Sequence, residues 1–393
     1  MKIPMSSPDI NDEDICAVTD VLHSRYLSRG SRVQALEEEI AAYLGARNAV
    51  AVNSGTSALH LAVIAAGIGE GDWVITTPFS FISSANCLLF EGAVPVFVDI
   101  DPRTNNIDPR QAARAAEDLT AGGKSAAGRL PPEMCGSALA DPALKAVLAV
   151  DIFGQPADYH GLREVTDQRQ LALIEDSCEA LGSAYQGKKA GTLGDVGVFG
   201  FYPNKQLTAG EGGMLVTDRE DWAALYRSLR NQGRGEDQRW MNHVRLGYNY
   251  RLDEMSAALA RSQLARIDQL IARRARAAGW YSEALSGVEE LQPIQVSPGT
   301  TQMSWFVYVV RTPSREIRDR LQVELRARGI PSRRYFQPIH LQPFYRQRFG
   351  YRRGMFPKTE EAGDCCLALP FSGVINKEQV EIVVEAVKAI LSS

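Results

Sequence analysis

Lys205 is the residue whose surroundings best fit it to act as a nucleophile. It lies in the stretch 191–218, where one apolar run ending at Phe201 and a second run, Met214 to Val216, predict two buried strands. The turn between them is polar and rich in glycine, so the lysine has little packing to do. Partial desolvation lowers the pKa of an amine, and a neutral amine can form a Schiff base with a carbonyl carbon. We therefore predict a Schiff-base lysine, with an ordinary solvated lysine as the alternative.

Three consecutive residues, Gly55, Thr56 and Ser57, predict a binding site for a phosphate group. They follow a short apolar strand at 49–52 and precede a helix at 58–64. Free backbone amides and the positive end of a helix dipole attract anions, and two hydroxyls add further hydrogen-bond donors. Since serine and threonine also cap helices, an N-cap is the alternative interpretation.

Two more side chains complete a recognisable set. Asp176 follows the apolar strand 171–174, and ligands of α/β proteins bind at the carboxyl ends of strands; a helix-capping aspartate is the alternative. Phe81 lies in the segment 78–86 and offers an aromatic ring. Pyridoxal phosphate requires amides and hydroxyls for its phosphate, a stacking face, an anion beside its pyridine nitrogen and an amine for its aldehyde. The four features together predict a pyridoxal 5'-phosphate site.

The elements that must position these residues alternate between strand and helix. Apolar strands are predicted at 73–77, 94–98 and 145–150, and strands alternate with helices along this part of the chain. This order is typical of an α/β fold with a mostly parallel sheet flanked by helices. The segment 119–141 has no clear period and is rich in glycine, alanine, serine and proline, so we expect an inserted surface loop there.

The chain of 393 residues is long enough for two domains. We expect a large cofactor-binding domain with an N-terminal arm at 1–252, one long linking helix at 253–285 and a smaller C-terminal α+β domain at 286–393.

The composition excludes several classes of partner. A net charge of -4, without long runs of lysine or arginine, argues against nucleic acid. The sequence has neither a signal-peptide pattern nor an apolar stretch that could cross a bilayer, so we expect a cytoplasmic protein. The six cysteines form no C-x-x-C pair and no metal-ligand cluster, so we expect reduced thiols and no metal.

Several longer motifs resemble those of one family. They are SRGSRVQALEEEIAAYLGARNAVAVNSGTSALHLA, IEDSCEALGS, FYPNKQLTAGEGGMLVTD, LRNQGRGE, GYNYRLDEMSAALA and RRYFQPIHLQPFY. Over nearly its whole length the chain is similar to the DegT/DnrJ/StrS sugar aminotransferases, which are fold-type I enzymes dependent on pyridoxal phosphate.

This resemblance implies roles for individual residues by their position. Lys205 would form the Schiff base and shuttle protons, and Asp176 would pair with the pyridinium nitrogen. Phe81, rather than its neighbour Phe79, would stack on the ring, and Thr56 with Ser57 would hold the phosphate.

The resemblance also implies a homodimer with composite active sites. Asn249 in GYNYR matches an asparagine that reaches the phosphate of the neighbouring subunit's cofactor in relatives. A turn asparagine is the plain alternative.

Two positions depart from the family pattern. Gly200 stands five residues before the lysine, where many relatives have a phosphate-binding serine, so that contact is lost, replaced by water, or taken by Gln206 or a backbone amide. Glu179 stands where relatives often have glutamine or histidine near the 3'-oxygen of the cofactor. A carboxylate there would be repelled by the phenolate, so we expect a raised pKa or a side chain that turns away, as a cap or in a salt bridge.

The resemblance suggests four contacts to a sugar: Tyr26, Arg29, Tyr335 and His340. A guanidinium gives a bidentate match to phosphate oxygens, so Arg29 could bind a nucleotide diphosphate, with a plain surface arginine as the alternative. A structural histidine is the alternative for His340.

The predicted activity is a ping-pong transfer of an amino group from an amino acid, expected to be L-glutamate, to a keto group of a nucleotide-linked deoxysugar. A ketocyclitol aminotransferase is a close alternative. Sugar 3-dehydratases of the family replace the lysine with histidine, so Lys205 argues against that activity. A non-catalytic regulator with the same fold is the alternative from another class.

Overall fold

The structure is a computed structural model that describes residues 3–134, 142–235 and 242–392. The helices are α1 (Asp12–Leu22), α2 (Ser31–Leu44), α3 (Gly55–Ala65), α4 (Ser83–Leu89), α5 (Pro109–Ala121), α6 (Gly123–Ala127), α7 (Tyr159–Asp167), α8 (Glu220–Leu229), α9 (Glu254–Ala265), α10 (Ile267–Leu285), α11 (Arg315–Ala327), α12 (Pro343–Phe349), α13 (Pro357–Cys365) and α14 (Lys377–Leu391). The strands are β1 (Asn48–Val52), β2 (Trp73–Thr76), β3 (Val94–Phe97), β4 (Leu144–Val150), β5 (Ala172–Asp176), β6 (Ala184–Tyr185), β7 (Lys188–Lys189), β8 (Val196–Gly200), β9 (Gly213–Thr217), β10 (Gln292–Pro293), β11 (Thr300–Gln302), β12 (Tyr308–Arg311) and β13 (Cys366–Leu369).

A seven-stranded sheet in the order β1-β9-β8-β5-β4-β2-β3 forms the centre of the fold. The neighbours from β8 to β3 pair in parallel, whereas β9 runs antiparallel to both β1 and β8. Strands such as β1 and β9 are buried along their whole length, as expected for a sheet covered by helices on both faces. The predicted α/β fold with a mostly parallel sheet is confirmed.

The C-terminal part contains a smaller antiparallel sheet, β10-β12-β13. One face of this sheet packs in an apolar core with α10, α11 and α14, which matches the predicted α+β character. The exact division into domains at residues 252 and 285 stays a prediction.

The prediction of one continuous helix over 253–285 is wrong. Arg266, with φ -121° and ψ 20°, separates α9 from α10. Its guanidinium bonds to Asp9 and Asp14 of the N-terminal segment, at 2.9 and 2.6 Å. Both helices bury apolar residues beside the break, so the apolar pattern runs through it and hides it.

The described part of the predicted surface loop at 119–141 is mostly exposed, but the prediction of a loop is wrong because much of this part is helical. Helix α5 continues to Ala121, α6 follows, and a 3-10 turn covers Pro132–Met134. Leu119 and Ala126 are buried in the same apolar core. Gly122 and Gly123 have positive φ angles of 69° and 57°, which let the chain turn between the helices but erase a helical period in the sequence. Residues 135–141, including Cys135, lie outside the described residues.

Candidate active site

Lys205 lies in the turn between β8 and β9, at an end of the central sheet. Its Nζ is 3.9 Å from the centre of the Phe306 ring and 3.7 Å from Glu179 Oε1. The lysine side chain is only 15% exposed. The amine therefore faces an aromatic ring and a carboxyl group in a largely dry setting, rather than extending into solvent.

Asp176 is the last residue of β5 and is buried. Ser84 Oγ donates to its Oδ2 at 2.6 Å, and the Ser84 hydroxyl is itself 2.7 Å from Ser80 Oγ. The other oxygen, Oδ1, accepts a long bond of 3.3 Å from the Cys178 amide, and the Cys178 thiol also bonds to the carboxylate. One carboxylate oxygen is thus fixed, while the other retains capacity for a strong donor. The sequence analysis missed Ser80 and Ser84, although both lie in the segment that carries Phe81.

The turn before α3 has the form of an anion site. Ser54 is the N-cap, since its hydroxyl accepts from the Ser57 amide at 3.0 Å. Thr56 and Ser57 are therefore not needed as caps, and Thr56 Oγ1 donates to Ser83 Oγ at 3.0 Å. A Cβ on Gly55 would lie 2.8 Å from Cys178 Sγ, so any larger residue here would displace the Cys178 side chain. The Ser57 hydroxyl already donates within the turn, to an asparagine side chain at 2.7 Å.

The two neighbouring phenylalanines differ in accessibility. Phe79 is fully buried and packs edge-on against Phe153 and Phe336, with ring centres 6.1 and 5.7 Å away. Phe81 is 62% exposed and keeps a ring face free. This difference supports Phe81, and not Phe79, as the stacking residue.

Glu179 points toward the lysine. Its Oε2 accepts from the Phe153 amide at 2.9 Å, and its Oε1 faces Lys205. Burial raises the pKa of the Glu179 carboxyl, and the charge of Lys205 opposes this rise. The direction is the one we expected for a carboxyl group in this position. The side chain does not turn away, and it combines the cap and salt-bridge contacts considered above.

Gln206 is not available as a substitute phosphate ligand. Its Nε2 donates to the Glu179 carbonyl oxygen at 2.5 Å and to Ser304 Oγ at 2.8 Å. Both amide protons are therefore used in the interior, and the prediction that Gln206 replaces the missing serine is not supported. A Cβ on Gly200 would lie 3.5 Å from Cys178 Sγ, an ordinary contact distance, so the glycine leaves room there.

The four predicted sugar contacts differ in their exposure and surroundings. Tyr335 packs in an aromatic stack with Phe306 and Phe336. Burial raises the pKa of Tyr335 to about 12, and the charge of Glu179 adds to this rise, so Tyr335 lies near the lysine pocket. Tyr26 is well exposed.

His340 is fully buried, and its Nε2 lies 3.0 Å from Glu360 Oε1. It packs edge-on against Phe356, and burial lowers its pKa. A ring without accessible surface cannot touch a sugar, so the assignment of His340 to the substrate is corrected to a structural role.

Arg29 lines a basic cavity of about 430 Å³ together with Arg227, Arg230 and Arg251. Arg230 is paired with Glu37. Burial lowers the pKa of Arg251, and the charge of Arg29 adds to this effect. The cavity therefore has an excess of positive charge close to the segment that carries Asn249.

Asn249 is exposed on the same chain. Its backbone pairs with Asn231, and its carbonyl oxygen lies 3.5 Å from Nδ2 of Asn53, next to the phosphate turn. An exposed asparagine is free to serve a neighbouring subunit, and that role stays a prediction.

Two buried carboxyl groups beside Asp176 were not recognised in the sequence. Burial raises the pKa of Asp151 to about 7 and that of Glu175 to about 8. Asp151 accepts from Tyr159 and Ser177 at 2.7 and 2.6 Å. Glu175 accepts backbone amides of the turn that precedes β8, including Gly191 N at 2.8 Å. Both groups hold neighbouring loops in place near the end of β5 by hydrogen bonds. In the sequence they could have been found from their positions at the ends of predicted strands.

The model of the DegT/DnrJ/EryC1/StrS aminotransferase family matches residues 8–388. The chain belongs to this family. It is accordingly a sugar aminotransferase-type enzyme whose cofactor is pyridoxal phosphate, as predicted. The described residues contain no helix long and apolar enough to span a membrane. They also contain no group of three or more histidine, cysteine and acidic side chains placed to hold a metal ion.

Named relatives include an enzyme and a regulator. GDP-perosamine synthase of Caulobacter vibrioides is 36% identical over 347 residues, covering 88% of this chain and 87% of the relative. A pleiotropic regulatory protein of Geobacillus stearothermophilus is 34% identical and covers 98% of both chains. DesV from S. venezuelae, known from a crystal structure, is 32% identical in sequence. The two structures superpose with a TM-score of 0.86 over 99% of this chain and 98% of DesV.

Proposed function

We propose that this member of the DegT/DnrJ/EryC1/StrS family transfers the amino group of L-glutamate to a keto group of a nucleotide-linked deoxysugar. The observation that carries the proposal is the largely buried Lys205 amine, held between Phe306 and Glu179 near the end of the strand that carries Asp176. The similarity to a GDP-perosamine synthase supports a nucleotide-linked substrate.

The residues present fit pyridoxal phosphate. The amides at the start of α3 would hold its phosphate, and the Thr56 hydroxyl would turn from Ser83 to donate to it. Phe81 offers a free ring face. Asp176 Oδ1 would accept a hydrogen bond from the protonated pyridine nitrogen, because Oδ2 is already bonded to Ser84. When bound, the cofactor supplies an electron sink and stores the amino group between the two half-reactions.

The acid-base work belongs to Lys205. Its amine would take the α-proton of the donor amino acid at Nζ, and in the second half-reaction it would give a proton to the sugar carbon. Glu179, whose pKa burial raises, lies close enough to exchange a proton with that amine through a small movement. Phe306 covers the amine and excludes water from it.

The substrate end of the site is assigned to Tyr335, Tyr26 and Arg29. Tyr335 lies near Glu179, on the lysine side. Arg29 and the basic cavity that it lines would attract the phosphates of a nucleotide sugar. We assign the site to a homodimer in which Asn249 of one subunit completes the phosphate site of the other.

The experiment uses 15N-labelled L-glutamate with a panel of GDP- and UDP-linked keto sugars. The proposal predicts 2-oxoglutarate and a nucleotide sugar that gains one 15N atom, detected by mass spectrometry. A nucleotide sugar that loses water without gaining nitrogen would indicate a dehydratase. If neither product forms with any sugar or with a ketocyclitol, the protein is better explained as a regulator, the name carried by one relative.

A further inference from the structure

Arg274 of α10 is a buried cation that bonds to backbone rather than to a carboxylate. The residue is only 4% exposed. Nη2 donates to the carbonyl oxygens of Asn204 and Lys205 at 2.9 and 2.7 Å, and Nη1 donates to those of Trp305 and Phe306 at 3.2 Å each. Within the described residues, no carboxylate forms a hydrogen bond or an ion pair with it.

The charge persists at neutral pH despite burial. Desolvation lowers the pKa of Arg274 to about 10, and the charge of Asp9 opposes this decrease. Asp9 itself bonds to Arg266 and Arg273, so it is not a direct partner of Arg274. A buried guanidinium is costly unless its donors are satisfied, and here backbone carbonyls satisfy them.

The two segments that Arg274 joins carry the lysine amine and the aromatic ring that it contacts. One segment contains Lys205, and the other contains Phe306, whose ring lies 3.9 Å from the lysine Nζ. A planar guanidinium has a fixed angle between its donors, so it fixes the separation of the carbonyls that it bridges. The bond from Gln206 to Ser304 links the same segments a second time, at 2.8 Å. The position of the Lys205 amine against the Phe306 ring thus depends on the bonds from Arg274 and Gln206 that join the two segments.

We propose that Arg274 is a positioning residue, which holds the backbone of Lys205 and of Phe306 on one guanidinium and so keeps the lysine amine directed at the cofactor carbonyl. The inference rests on the proposed function, because it takes Lys205 as the nucleophile. Arg274 acts through these two residues and does not itself touch the substrate.

The test measures how fast Lys205 becomes covalently labelled. Full-length protein freed of cofactor is mixed with pyridoxal 5'-phosphate, reduced with borohydride at timed intervals and analysed by peptide mass spectrometry. Three variants are compared: Arg274→Gln, Arg274→Lys and Arg318→Gln. Arg318 of α11 is the control: it is also buried and donates to a backbone carbonyl, that of Gly363, but it pairs with Asp319 and lies away from Lys205 in the sequence. Thermal unfolding is recorded for each protein.

Labelling of Lys205 is expected to be slower by on the order of tenfold in Arg274→Gln, because misplacement of a reacting group is costly. Arg274→Lys keeps the charge but can bridge fewer carbonyls, so its labelling rate is expected to fall between those of Arg274→Gln and wild type. Arg318→Gln is expected to unfold at a lower temperature yet label at the wild-type rate.

Equal labelling of wild type and Arg274→Gln would overturn the inference while leaving the nucleophile in place. So would a loss in Arg318→Gln as large as that in Arg274→Gln, since it would reflect stability alone. A wild-type protein that is not labelled at Lys205 would instead contradict the proposed function.

Discussion

At the scale of single residues, the departure at Gly200 gives a direct test of the phosphate site. A Cβ there would lie 3.5 Å from Cys178 Sγ and 3.9 Å from Gly55 Cα, so a serine fits without displacing its neighbours. Gly200→Ser is expected to bind pyridoxal phosphate more tightly by about 1 kcal/mol, the net contribution of one added hydrogen bond. Equilibrium dialysis of the cofactor measures this change. Gly200→Ala is the matched control, and tightening in both variants would show that the hydroxyl is not responsible.

The buried pair of His340 and Glu360 gives a second prediction. His340→Gln should reduce the free energy of unfolding by about 1–3 kcal/mol, since it leaves a buried acceptor poorly paired. It should leave the KM for the sugar unchanged, because the side chain has no accessible surface. Urea unfolding and steady-state kinetics measure the two effects. A raised KM with unchanged stability would restore His340 to the substrate site.

The same pair fixes the sign of a pH dependence. Burial lowers the pKa of His340 below its usual 6.5, so the unfolded chain takes up a proton before the folded chain does. Stability is therefore present above pH 6.5 and is lost as the pH falls from 6.5 through the lowered pKa. The pKa of Glu360 is lowered too, by hydrogen bonds from Gly354, His340 and Phe356 that outweigh burial, and it adds a further loss below its usual 4.5. His340→Gln should remove the first of these losses.

At the scale of elements, the junction of α1, α9 and α10 depends on Arg266. Its guanidinium bonds to Asp14, whose side chain is fully buried. Arg266→Gln should destabilise the protein by about 3 kcal/mol, because it leaves a buried carboxylate without its cation. Arg261→Gln is the control, since its pair with Glu39 is partly exposed and should contribute less than about 1 kcal/mol. Equal losses of unfolding free energy in the two variants would contradict this account.

The sequence predicted elements well where apolar period and burial coincide. The alternating strands and helices of the large sheet were foreseen because each strand is a short apolar run between polar turns. The break at Arg266 was not, since both helices bury apolar residues on either side of it. Helix α6 was missed because small residues and glycines carry little hydrophobic pattern.

The candidate site shows the same limit. Motifs indicated Lys205, Asp176 and Phe81. In the structure these residues offer an amine, a carboxylate oxygen and an exposed ring to a ligand. Contacts between distant segments were out of reach, because no local pattern shows that Arg274 binds the backbone of Lys205 or that Ser84 fixes one oxygen of Asp176.

At the scale of the whole molecule, composite sites predict complementation between two inactive variants. Lys205→Ala lacks the amine, and Asn249→Ala lacks the side chain proposed to serve the partner's site. In a mixed dimer, one of the two sites would have both residues. Random reassembly of equal amounts should recover about a quarter of the wild-type activity, measured as 2-oxoglutarate formation. Recovery no greater than the sum of the two separate variants would contradict a shared site.

The central claim, that Lys205 carries the first half-reaction, is tested most directly by the visible absorption spectrum of the protein with L-glutamate. Wild-type protein is expected to show the band of lysine-bound cofactor, which shifts to shorter wavelength as glutamate is converted to 2-oxoglutarate. Lys205→Ala is expected to lack that band and to form no 2-oxoglutarate. A wild-type spectrum that glutamate and other amino donors leave unchanged, with the cofactor bound, would contradict the claim.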